Sequence, residues 1–131
     1  MLLSDIRDWI KTFNIADHYY IGRLDAKKER SIGVYSRNRS SAPVMALGGL
    51  DNSSYDIKSV SILVHWNQNA RETETAARNL WDHLQQISNL DIGEDHIDYL
   101  MLLVPEPISV GADDDGIYEY VIEFDLYYRR K

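Results

Sequence analysis

Carboxylates and histidines are the side chains here that could bind a catalytic metal ion, because the chain contains no cysteine. Asp95, Asp98 and Glu119 could hold Mg²⁺ in a small hydrolase or nuclease if folding brings them together. Glu119 also belongs to a row of acids on one face of a predicted strand, where contact with solvent explains it more simply. A metal-dependent hydrolase is therefore an alternative, and we expect that the protein is not an enzyme.

The histidines lack the spacing of a metal or catalytic motif. They are His18, His65, His83 and His96, and they form neither H-x-x-x-H nor H-E-x-x-H. We expect His65 to be a packed or rim histidine and not a ligand. Gly48–Gly49 is not followed by Lys-Ser or Lys-Thr, so a turn that needs positive φ is favoured over a phosphate-binding loop.

The acidic run Asp113–Asp115 precedes a glycine and invites comparison with a calcium loop. In the EF-hand pattern the sixth position would be glycine and the twelfth glutamate, but here they are Tyr118 and Phe124. The run is therefore predicted to be an acidic turn before the last strand. We predict no metal site, no cofactor and no catalytic residue.

The chain has 131 residues, a common length for one domain, and we expect residues 1–131 to form a single domain. Hydrophobic residues make up 44%, which excludes a disordered chain, and no apolar run reaches the ~18 residues of a membrane helix. Residues 1–10 lack the basic start and apolar core of a secretory signal. The absence of cysteine fits a cytosolic origin.

The net charge of −7 is unevenly distributed. Residues 23–39 carry a net charge of +4, residues 40–128 a net charge of −13, and residues 129–131 a charge of +3. This separation favours directional docking onto another charged surface, although two solvated loops and an acidic face would give the same pattern. The acidic excess argues against free duplex DNA as a ligand, because affinity for DNA depends on neutralising phosphates.

Hydrophobic periodicity predicts helices at residues 5–13, capped by Ser4, and at about 70–88, where Asn69 followed by Glu72 resembles a capping box. Strand predictions rest on alternating, β-branched and aromatic residues. They are a hairpin of 18–24 with 31–36, a brief strand at 43–47, strong strands at 57–66 and 96–104, a loop or hairpin turn at 108–116, and a long last strand at 118–128. These elements predict an α+β fold.

One continuous stretch carries a resemblance to a known family. It reads PVMALGGLDNSSYDIKSVSILVHWNQNARETETAARNLWDHL. Its features are the ALGG turn at 46–49, the strand end VHWN at 64–67 and the helix start NARE at 69–72. With the short N-terminal helix and the long, basic-tipped final strand, it resembles the minor capsid proteins of Gram-positive phages, which are similar to the tail terminator, or tail completion, proteins of long-tailed phages.

The resemblance implies a mixed, mostly antiparallel sheet flanked by the two helices. It implies self-assembly into a ring, commonly a hexamer, that caps the tail tube protein and meets a head-completion or connector protein. The genome would pass through the ring without specific recognition. The protein would be made in the host bacterial cytoplasm and end at the tail–head junction of the virion, without membrane contact.

Charge and residue type predict which residues make these contacts, because tyrosines suit partly wet interfaces and basic segments suit acidic partners. The predicted interface residues are Lys27, Lys28, Arg30, Arg37, Arg39, Tyr127, Arg129 and Arg130. The candidates for a phosphate-repelling lumen are Asp113, Asp114 and Asp115. A neck or head–tail connector subunit and a host-side binding module with an acidic face remain alternatives.

Overall fold

The computed structural model describes residues 1–37 and 55–130. The expected strand at 43–47 and the Gly48–Gly49 turn fall outside these ranges. Within them the elements are α1 (Leu3–Lys11), β1 (His18–Ile21), β2 (Ser31–Ser36), β3 (Asp56–His65), α2 (Ala70–Gln85), β4 (Ser88–Ile92), β5 (Asp95–Leu102), β6 (Ile108–Ala112) and β7 (Tyr118–Arg130). This composition confirms the α+β class.

The strands form one sheet in which β7 occupies the centre, in the order β1-β2-β3-β7-β5-β4. β3 pairs along one side of β7, from His65↔Glu119 to Asp56↔Tyr128. The other side of β7 is shared by β6 near its start and by β5 near its end. Every pair is antiparallel except β1–β2, so the mixed, mostly antiparallel sheet is confirmed.

Alternation along the central strands builds the core. Val60, Ile62 and Val64 of β3 are buried, as expected for one face of a strand. On β7 the matching residues are Ile122, Phe124 and Leu126, all fully buried. Helix α2 packs on β7, β5 and β3, whereas α1 contacts β1 and β2 near one edge and β4 at the other. Contact with both edges means that the sheet curls around its helices.

The helix starts agree only in part with the sequence prediction. Asn69 caps α2, because its side-chain oxygen accepts a hydrogen bond from the Glu72 backbone N–H at 3.0 Å. The reciprocal half of the capping box is missing, since the Glu72 carboxylate accepts from the Asn67 amide instead. Ser4 is not the cap of α1 but lies inside it, because the helix begins at Leu3 and has Leu2 at the cap position.

The predicted hairpin of the first two strands is wrong, because β1 and β2 run parallel. Residues 22–30 run back alongside β1 to its start. There the Arg30 carbonyl accepts hydrogen bonds from the backbone N–H groups of Asp17 and His18. A parallel pair usually needs a crossover of about a dozen residues or more. The nine residues suffice here because β1 contains only four.

Strand β4 has no counterpart in the sequence prediction. Its sequence, Ser88–Ile92, contains Asn89 and Asp91, residue types that are poor in strands. Of its five residues only Ile92 is buried, since β4 lies at the edge of the described sheet and pairs there only with β5. The loop or hairpin turn expected at 108–116 contains a real strand, β6, followed by the turn into β7.

Candidate functional site

The connection at residues 22–30, called the basic loop below, carries three of the predicted interface residues. Lys27 and Lys28 are exposed, and none of the ion pairs in the described part of the chain involves them. Arg30 closes the loop with a left-handed backbone (φ 55°), and its N–H donates to the Trp66 carbonyl at 2.8 Å. Its guanidinium lies 5.7 Å from the Trp66 ring centroid, a cation–π contact.

The basic loop lies over β2 because Gly33 leaves room for it. A Cβ atom at Gly33 would stand 2.8 Å from the Tyr35 ring and 3.1 Å from the Leu24 side chain. The Leu24 backbone hydrogen-bonds to the Tyr35 hydroxyl, and burial raises the pKa of Tyr35 above its ordinary value. The negative charge of Glu119 contributes to the same rise in the pKa of Tyr35.

His65, the last residue of β3, connects the basic loop with the start of β7. Its Nε2 lies 2.9 Å from the Ala26 carbonyl oxygen and its Nδ1 2.8 Å from Glu119 Oε2. The side chain is completely buried, although strand alternation places it on the face opposite the core. The prediction of a packed histidine agrees with this burial, and the loop is what covers it.

Residues 113–116, called the acidic turn below, lie beside the same histidine. Asp113 Oδ1 accepts hydrogen bonds from the backbone N–H groups of Asp115 and Ile117, which fixes the turn. Asp113 Oδ2 lies 3.9 Å from His65 Nδ1. Asp114 and Asp115 are exposed. The basic loop and the acidic turn, far apart in sequence, therefore meet at one end of the sheet.

The basic tip of β7 lies at the other end of that strand. The Arg129 guanidinium donates to Asp98 Oδ1 at 3.0 Å, and Arg130 is in register with Asp95. Tyr127 stacks on the Tyr99 ring with centroids 4.4 Å apart. The positive charges of the basic loop and of Arg129 thus do not form one patch.

The positions of the three candidate carboxylates contradict the metal site on which the hydrolase alternative depends. Glu119 is in register with His65 near the start of β7, whereas Asp95 pairs with Arg130 at its end. Eleven strand positions separate the two ends, which corresponds to about 36 Å. Asp95, Asp98 and Glu119 cannot bind one metal ion, because the sheet is rigidly paired between them.

Arg37, a further predicted interface residue, lies beside the central strand β7. The Arg37 guanidinium lies 3.3 Å from the carboxylate of Asp125, which is buried on β7. This ion pair holds Arg37 against its own sheet. Arg39 lies outside the described ranges. The interface roles of all these residues remain predictions.

The comparison that decides the family is a match to the model of bacteriophage tail terminator proteins over residues 4–130. The chain belongs to the phage tail terminator family. Comparison with curated protein sequences gives no match. The terminator is therefore a structural protein of phage tail completion, a virion component of the tail–head junction that interacts with tail and head components. The family resemblance seen in the sequence is confirmed.

Neither described helix of the terminator is long and apolar enough to span a membrane. Its sheet does expose large apolar side chains over a short stretch of sequence. These are Tyr99, Met101, Leu103, Ile108 and Val110, each between 38% and 52% exposed. None of them was named among the predicted interface residues. Only Tyr99 falls under the general expectation that tyrosines lie at interfaces. The pattern that points to Tyr99, Met101 and Leu103 is the run YLMLLV at 99–104, which is apolar on both strand faces.

Proposed function

We propose that this protein closes into a ring of identical subunits, a hexamer in the form we favour, that caps the tail tube and presents the opposite surface to a head-completion or connector protein. The observation that supports the ring is the exposed apolar stretch from Tyr99 to Val110, on β5, β6 and the connection between them. Exposed apolar patches of this kind mark protein interfaces. A heterologous contact that closes by rotation generates a ring.

The edges of the sheet support the same proposal. Among the described strands β6 pairs only with β7, and all five of its residues are exposed. An unpaired strand edge presents backbone donors and acceptors to a neighbouring chain. Ile108 and Val110 lie on this edge, so one subunit can combine backbone pairing with burial of apolar side chains. An isolated subunit would have neither this backbone pairing nor this burial of apolar side chains.

The charged end of the molecule supplies the specificity of docking in this proposal. Lys27 and Lys28 project from the basic loop and would contact an acidic surface of the tube or connector. Asp114 and Asp115 on the adjacent acidic turn would face the lumen and repel DNA phosphate. His65, which contacts Ala26 of the loop and Asp113 of the turn, would fix the angle between the two surfaces.

We infer that the ring works without catalysis, as a single domain synthesised in the host cytoplasm. The separation of Asp95 and Asp98 from Glu119 along β7 supports the absence of a hydrolase site. One sheet joins strands from both ends of the chain, which supports a single domain. Binding energy between complementary surfaces is sufficient to stop tube growth.

Electron microscopy of the purified protein mixed with tail tubes tests the function. We expect tubes of uniform length with a ring at one end, and class averages that show the subunit number. Tubes that keep growing in the presence of excess protein would contradict the capping role. A ring located away from the tube end in intact virions would favour a neck subunit.

A further inference from the structure

We propose that His65, Asp113 and Glu119 form a binding site for one divalent transition-metal ion of the Zn²⁺ class, a site that fixes the basic loop to the acidic turn. Each residue offers one ligand atom, and these atoms lie within 4.8 Å of one another. The imidazole is fully buried, while the two carboxylate side chains are 20–22% exposed. This inference does not depend on the ring proposal.

The hydrogen bonds of His65 show that a positive species belongs between its Nδ1 and Glu119. The Ala26 carbonyl can only accept, so Nε2 carries a proton and donates it at 2.9 Å. In the neutral imidazole the lone pair is then on Nδ1, 2.8 Å from a carboxylate oxygen that is also an acceptor. Two acceptors at this distance require either a second proton or a metal ion between them.

The second carboxylate favours the metal over the proton. A proton on Nδ1 would satisfy Glu119 and leave Asp113 Oδ2, 3.9 Å from Nδ1, without a bond to it. One cation can contact both carboxylates and the imidazole at once, and its two charges balance those of the acids. Two carboxylates that converge on one point repel each other, and a cation between them removes this repulsion.

The spacing of the three ligand atoms fits a four-coordinate ion. Tetrahedral bonds of about 2.0–2.1 Å to nitrogen and oxygen separate neighbouring ligand atoms by about 3.3 Å. The distances from Nδ1 to the two carboxylate oxygens are 2.8 Å and 3.9 Å, one below and one above this value. The two carboxylate oxygens are up to 4.8 Å apart, so shifts of up to about 1 Å in two partly exposed side chains are needed to place both at bonding distance. Mixed imidazole and carboxylate ligands suit Zn²⁺, with water as the fourth ligand.

The surroundings already orient the ligands. A histidine that binds a metal usually donates its other ring N–H to a carbonyl or carboxylate, as His65 does to Ala26. Asp113 is held by the backbone N–H groups of Asp115 and Ile117 through Oδ1, which leaves Oδ2 for the metal. The ion would connect β3, β7 and the acidic turn directly, and the basic loop through Ala26.

Isothermal titration of the metal-free full chain with Zn²⁺ tests the site. We expect one saturable binding event and a rise in Tm with Zn²⁺, because binding to the folded state stabilises it. Asp113→Asn, which keeps the oxygen that caps the turn, and Glu119→Gln should each weaken Zn²⁺ binding by about tenfold or more. Asp114→Asn makes the same charge change on an exposed neighbour and should bind as the wild type does.

His96→Gln serves as a second control, because His96 also lies beside acids, at 2.8 Å from Asp91. It should retain Zn²⁺ binding. Absence of saturable binding by the wild type, or equal weakening by Asp114→Asn, would overturn the site and leave a protonated His65 as the bridging species. If Glu119→Gln does not fold, Co²⁺ absorption of the wild type decides: intense visible bands of a four-coordinate ion are expected, and their absence refutes the proposal.

Discussion

Tyr99 on β5 stacks against Tyr127 on β7 with ring centroids 4.4 Å apart and planes inclined by only 14°. The two residues are partners in the strand register, and Tyr55 contacts Tyr127 from the other side at 5.6 Å. The three rings form a row across the sheet. Tyr99 is 44% exposed, so this row combines internal stabilisation with a surface available to a partner.

The stack predicts an energetic coupling between the two strands. Tyr99→Ala should lower the free energy of unfolding, and the double-mutant cycle with Tyr127→Ala should show a coupling of about 0.5–1.5 kcal/mol, because aromatic pairs contribute beyond area burial. Urea denaturation of the wild type, both single variants and the double variant gives the four values. Additive effects would mean that the rings do not stabilise each other.

The exposed apolar stretch predicts a variant that folds and fails to assemble. Met101→Lys with Val110→Lys should change the stability of the isolated subunit by only about 0.5 kcal/mol, since both side chains are already about half exposed. The same variant should abolish ring formation on tail tubes, because a lysine at position 110 on the β6 edge opposes strand pairing and a lysine at position 101 interrupts the apolar surface. Electron microscopy and analytical ultracentrifugation measure the two effects.

Gln85→Lys with Gln86→Lys is the matched control for this variant, since it adds the same two charges at the exposed C-terminal end of α2. It should leave assembly intact. Rings formed equally well by the Met101→Lys, Val110→Lys variant would place the subunit contact elsewhere.

The basic loop predicts a docking defect without a folding defect. Lys27→Glu with Lys28→Glu should weaken tube capping, and wild-type capping should itself weaken as salt is raised, because exposed charges are screened. Arg30 is left unchanged in this test, since its contact with Trp66 gives it a structural role. Co-sedimentation with tubes at several salt concentrations provides the measurement. Lys11→Glu, at the exposed end of α1, should cap normally.

The acidic turn predicts an effect on genome passage. Asp114→Lys with Asp115→Lys should slow DNA ejection from assembled particles, because cations in a lumen attract phosphate. The turn itself should persist, since Asp113 supplies its side-chain hydrogen bonds. Measurement of DNA ejection with a DNA-binding dye tests this. Asp82→Lys, on the exposed side of α2, is the control. Unchanged ejection kinetics would remove the turn from the lumen.

Tyr35 predicts a loss of stability in alkali. Burial raises the pKa of Tyr35, and the charge of Glu119 adds to that effect, while the Leu24 hydrogen bond opposes it. The folded state therefore favours the neutral phenol. The stabilisation of the folded state by the neutral Tyr35 phenol is fully present below the pKa of about 10 that tyrosine has in the unfolded chain. It is lost as the pH rises through the raised pKa of the folded state. Urea unfolding of the wild type and Tyr35→Phe across this range should show a smaller decline for the variant. Equal declines would contradict the assignment.

Most residues that the sequence places correctly interact with their immediate neighbours, although the cap predicted at Ser4 is not formed. Asn69 caps α2, and the alternation around Ile62 and Ile122 identifies the buried faces of β3 and β7. Periodicity and capping depend on a few adjacent residues, so they can be read from one chain. Strand β4 escapes detection because its pairing with β5 and not its own composition makes it a strand.

The sequence by itself determined the fold class, the core faces and, through its resemblance, the tail terminator family. Only the tertiary structure decided that β1 and β2 run parallel, that Asp95 and Glu119 stand at opposite ends of β7, and that the basic loop meets the acidic turn at His65. Strand alternation assigns His65 to the solvent side, yet the loop covers it completely. The reason is that such contacts join residues distant in sequence, and their geometry is set by the packing of the whole sheet.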